Sequence, residues 1–162
     1  MGAIWGALGV CSLIGFAIFR LLPKADYAVS HGLTTGQWLF TLGFALFMAY
    51  TEGYRGFQQK FSPRTAARVR HIRENPTAIR ILLAPLFAMG YFDATKRTKI
   101  VAYAITLTVT ALVIVIQYLA QPWRGIIDIG VIVGLSWGLI TLMISIAAAL
   151  TQDRYEVSPE VG

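Results

Sequence analysis

The chain has 162 residues, 56% hydrophobic and 14% charged, with a positive mean hydropathy and a formal charge of +6. It is too apolar for an ordinary soluble domain and too short for two, so its composition belongs in a bilayer. The positive residues lie almost wholly beside apolar segments, which makes anionic lipid headgroups their counter-charge and argues against nucleic acid. Cys11 is the single cysteine, which excludes an intrachain disulfide and a multi-cysteine metal site.

Residues 2–22 supply the roughly 20 apolar positions that a helix needs to cross hydrocarbon. No basic stretch precedes them and no small-residue cleavage site follows, so the run reads as a retained span rather than a signal peptide. Gly2, Gly6 and Gly9, then Ser12 and Gly15, set small residues at helical spacing, a surface suited to close helix packing. Pro23 is expected to end this helix, and residues 24–36, with His31, form a polar loop. The second span is expected over residues 37–54, with Trp38 at one headgroup level and Tyr50 and Tyr54 at the other. Glu52 and Arg55, three apart, would share one helix face.

Ten of the fourteen Lys and Arg residues fall between positions 50 and 99. Such clusters stay on the cytoplasmic side, so residues 55–99 are expected to form a cytoplasmic and interfacial insertion. Within it Ser62 is a candidate N-cap, Pro63 a first helical residue and Asn75-Pro76 a stop. Ala66, Val69 and Ile72 make an apolar strip, and Arg64, Arg68, Arg70, His71 and Arg73 take the rest of the circumference. That pattern predicts a basic amphipathic helix on the inner leaflet, its arginines on lipid headgroups. The next apolar run, residues 81–92, is interrupted by Pro85 and rises only about 18 Å as a helix, against a hydrocarbon core of roughly 30 Å. If it crossed, the excess of inside over outside cations would shrink from 11 against 3 to 8 against 6. It is therefore expected to be re-entrant or interfacial, with a fifth span as the alternative.

Residues 100–120 form an uncharged span with Thr106, Thr108 and Thr110 near its centre. Gln121 to Gly125 is expected to be a tight hairpin leading to a last span over residues 126–150. There Gly130, Gly134 and Gly138 recur every fourth residue, a ridge for close approach by a helix of this chain or of a partner, with Trp137 beside it. The fold expected is an all-α integral membrane protein with four transmembrane helices and both termini cytoplasmic. A basic amphipathic helix and a short re-entrant or interfacial helix lie between spans two and three.

Charged residues near the apolar layer are the candidates for chemistry. Arg20 and Asp128 could pair or relay a proton, with Gln117 and Arg124 as further partners. Glu52, Arg55, Asp93 and Lys96 form a candidate polar site at the inner face, suited to a hard cation if to any metal. His31 and His71 are expected at opposite faces and cannot share a cofactor. No nucleophile elbow, phosphate loop or dinucleotide fingerprint is present, so no catalytic residue is assigned and no cofactor is predicted beyond bound lipid. The pattern favours an accessory or scaffolding subunit of a larger membrane assembly or a homo-oligomer, in a bacterial inner membrane. The alternatives are a small transporter or channel using Asp128, Arg20 or Glu52, and a lipid-handling enzyme at the inner leaflet.

Overall fold

A computed structural model describes residues 1–162, and the chain is helical throughout, with no strand. Helix α1 (Gly2–Ser30) does not stop at Pro23 but runs through it. An interior proline lacks the N–H for the helical bond and costs about 3 kcal/mol. Packing beyond it offsets that cost: Ala25 and Ala28 are buried, and Lys24 O and Ala28 Cβ press on Gly125.

Thr34 and Gln37 form a reciprocal capping box that starts α2 (Thr35–Met48). The chain then stays helical without a break through a π-wound segment, Ala49–Phe61, into α3 (Ser62–Glu74). Ser62 is therefore no N-cap: it is helical, fully buried, and its hydroxyl lies 3.3 Å from that of Thr141. The expected separate second span and amphipathic helix are two parts of one rod. Helices α4 (Ala78–Leu82) and α5 (Ala84–Ala88) are single turns parted at Leu83, and Pro85 opens α5 rather than kinking a longer helix. Both lie on the start of α1, where Gly2 meets Ile81, Gly6 meets Ala84 and Gly9 meets Pro85.

Helix α6 (Lys96–Gln117) is capped by Thr95, and α7 (Trp123–Thr151) follows a short connection. Three helices, α1, α6 and α7, are long and apolar enough to cross a membrane. The rod is not a fourth by that measure, because its apolar α2 portion has only 14 residues before polar side chains and π winding begin.

Helix α7 is the axis of the bundle. Phe44 on Gly130 and Arg73 on Leu150 O show that the rod runs parallel to it, whereas α1, with Ala28 at Gly125, runs antiparallel. The main core joins Ala3 and Val10 of α1, Ala66 and Val69 of α3, and Leu142, Ile146 and Ala149 of α7. The apolar strip of α3, expected at lipid headgroups, is thus buried in protein. Helix α6 contrasts with all of these: none of its 22 residues is buried, and no helix packs along it.

Candidate functional site

The densest polar construction lies at the end of the bundle that carries α3, here called the basic end. Arg68 is 2% exposed, and its guanidinium is aimed inward at backbone carbonyls. Nε donates to Phe87 O at 2.5 Å, Nη1 to Pro159 O at 2.7 Å, and Nη2 to Phe92 O and Asp93 O at 3.0 Å. Phe87 covers the guanidinium carbon, with its centroid 4.1 Å away. Burial pushes the Arg68 pKa down to about 10 while Asp93 and Glu160 oppose the shift, so the side chain stays cationic at neutral pH. Beside it, burial first and then Arg80 and Arg68 hold His71 below the usual histidine range.

The other arginines of α3 serve the end of α7. Its last carbonyls have no partner within the helix. Arg70 Nη1 reaches Ala149 O at 3.2 Å and Gln152 O at 2.7 Å, Arg70 Nη2 reaches Asp153 O, and Arg73 reaches Leu150 O at 2.9 Å. Cations at a helix C-terminus also complement its dipole. Of the four arginines expected on headgroups, Arg68, Arg70 and Arg73 bond the protein's own backbone. Arg64 is exposed, 3.8 Å from Glu160.

On the ridge of α7, each glycine faces a side chain of the rod: Phe44 and Met48 at Gly130, Glu52 at Gly134 and Phe57 at Gly138. Trp137 sits on Gly53 and donates to Gln58 Oε1 at 2.9 Å. The ridge is therefore occupied from within the chain. Glu52 makes no ion pair with Arg55, which is exposed. In π winding, bonds run from i to i+5, so residues three apart no longer stack.

Asp93 pairs with Arg80 at 2.5 Å, while Lys96 is exposed and takes no part. Glu52 faces Gly134, whereas Asp93 lies with Arg68 at the basic end, where Arg70 meets Ala149. Fifteen residues of α7 separate those levels, about 20 Å. The two carboxylates do not form one site, and no group of three His, Cys, Asp or Glu comes close enough to hold a metal ion.

At the opposite end Asp128 is 3% exposed, and its Oδ2 has no partner. Arg20 and Gln117 are both exposed, and Arg20 makes no pair with Asp128. Lys24 and Arg124 supply the nearby positive charge, and Arg124 Nε is likewise buried without a partner.

No protein family, curated protein or solved structure matches the chain.

Sequence reasoning missed Lys24, Arg80 and Glu160 as partners of the charged candidates. Lys24 follows Pro23, an expected helix stop, and is therefore expected in a loop rather than beside Asp128. Arg80 and Glu160 lie 13 residues before Asp93 and 62 after Thr98, beyond any local spacing rule.

Proposed function

We propose that this chain is an accessory or scaffolding subunit of a larger membrane assembly, with α6 as the helix it offers to a partner. One observation carries the reading: α6 is a span-length apolar helix of 22 residues, none buried against its own chain. A connection as short as residues 118–122 ordinarily joins helices that pack side by side. Helices α6 and α7 do not. The glycine ridge is occupied internally, so the partner-facing surface moves from α7 to α6.

The reading places four crossings in the membrane, counting the rod. Helices α1 and α7 are antiparallel neighbours, and the rod runs parallel to α7 along it, so the rod shares the layer that they cross. Both termini then lie at the basic end, which is cytoplasmic by its charge, and a bacterial inner membrane suits the short connections. Helices α4 and α5 lie at the inner interface with Ile79 and Leu82 toward lipid, both more than half exposed. Anionic headgroups meet Lys60, Arg64, Lys96 and Arg97, which are exposed.

Purification in mild detergent tests the reading. Ala104→Trp and Val109→Trp on α6 should reduce recovery of a stoichiometric membrane partner at least tenfold while the chain stays inserted and folded. Unchanged recovery, or no stoichiometric partner for the parent chain, would sink it.

A second reading, a small transporter or channel, is favoured by Asp128, a buried carboxylate with an unpartnered oxygen inside the bundle. It requires Asp128→Asn or Glu52→Gln to lose flux at normal abundance in liposomes; unaltered flux in both removes it.

A further inference from the structure

Helix α6 meets the rest of the molecule at few points, and these lie along its first three turns. Thr95 N donates to Glu160 O at 3.0 Å, and Thr98 Oγ1 donates to Glu160 Oε2 at 2.5 Å. The Gly90-Tyr91 turn supplies the others: the Tyr91 hydroxyl pairs with Thr106, and its ring stands edge-on to Tyr103 at 5.3 Å. Glu160 is held in turn by the α3 arginines. Arg68 Nη1 reaches Glu160 O at 3.4 Å, and Arg64 lies 3.8 Å from the Glu160 carboxylate.

We propose that residues 158–162 form a releasable latch, in which Glu160 clips the first turn of α6 to Arg68 and Arg64, and that opening the clip uncouples that first turn from the bundle.

Three features make this a latch rather than a permanent weld. The grip is polar, and although Arg68 is buried the Arg64 and Glu160 side chains are 45% and 34% exposed; of these five residues only Val161 packs on an apolar cluster, that of Ile72, Ala84 and Phe87. Glu160 has φ +48°, in the left-handed region that non-glycine residues rarely adopt. Such a conformation persists only while its surroundings hold it, so release relieves strain. Finally, once the clip opens the first turn of α6 has no helix packed along it to take over, and the Tyr91 contacts lie further along, at Tyr103 and Thr106. The latch is a property of this chain alone and stands whether or not a partner binds α6.

Hydrogen exchange of the full-length protein in lipid nanodiscs tests it. Thr98→Val with Glu160→Ala removes the side-chain clip. Exchange over residues 95–99 is expected to rise about tenfold, the loss of one charge-assisted bond, with exchange over α7 unchanged. No rise at residues 95–99 overturns the latch. Should the double variant also loosen α7, Glu160→Gln alone decides. It removes the charge from the clip and leaves the Thr95–Thr98 cap intact, and a rise of about threefold confined to residues 95–99 supports the latch, whereas no rise overturns it.

Discussion

Arg68 illustrates how far one side chain can organise a small bundle. Its planar fork meets carbonyls from residues 87, 92, 93 and 159, which lie 19 to 91 positions along the chain. Arg68→Lys keeps the charge but offers one ammonium where several directed donors are needed. That substitution is expected to destabilise the protein by on the order of 3 kcal/mol, because several hydrogen bonds from a buried cation to carbonyls are lost, read as a lower unfolding temperature in detergent. The sequence contained this arginine but not its direction. Arg64, Arg68, Arg70 and Arg73 look alike in a basic helical run, and the carbonyls that single out Arg68 come from distant segments.

His71 gives the pH dependence. Its pKa is lowered from 6.5, so the folded chain binds this proton less readily than the unfolded chain does. Unfolded molecules then take up more protons as pH falls through 6.5, and stability decreases toward acid; more than about a unit above that value the group contributes no slope. His71→Gln should flatten the fall in unfolding temperature between roughly pH 7.5 and 5.5. An identical acid slope in the variant would refute the assignment.

At the scale of elements, the packing of α7 explains the π segment. Gly53 and Gln58 both meet Trp137, and Phe57 on Gly138 is followed by Ser62 at Thr141. Steps of five keep one face of the rod on α7, where α winding would carry that face away. Long π runs are rare. Patterns read at the α period therefore match the long apolar helices, whereas between 49 and 61 they put on one face residues that π winding separates. Gly138→Val would drive a branched side chain into the Phe57 ring. It is expected to destabilise the protein by about 1–3 kcal/mol, the usual effect of overpacking. Gly15 has nothing within 4 Å of where a side chain would begin, so Gly15→Ala should instead raise stability by about 0.5–1 kcal/mol through helix propensity. Equal effects at the two glycines, measured by thermal or denaturant unfolding, would contradict the packing described.

For the whole molecule, the proposed threading rests on the distribution of charge and on the packing of the bundle. The basic end holds the starts of α1 and α6 and the ends of α3 and α7, joined through Arg68 and Glu160. The opposite end holds Trp38 and Trp123, the latter edge-on to Phe40 at 5.5 Å, as an aromatic belt would be. The class and the long apolar helices were legible because they rest on composition and local hydropathy. Three of the four expected crossings are helices of span length; the fourth, the rod, crosses on the proposed reading with a short apolar stretch supported by neighbours rather than by its own length. Helix α1 and α7 have 29 residues each, about 43 Å, whereas α2 supplies about 21 Å before the π segment continues it. Single cysteines in a Cys11→Ser background make the difference measurable in sealed vesicles. Arg64→Cys, Lys60→Cys and Arg97→Cys should label from one face, and Trp38→Cys and Tyr118→Cys from the other. If positions 38 and 60 react from the same face, the rod does not cross. In that case α1 and α7 would lie in the membrane without the helix that fills the α7 ridge, and the four-crossing threading would fail.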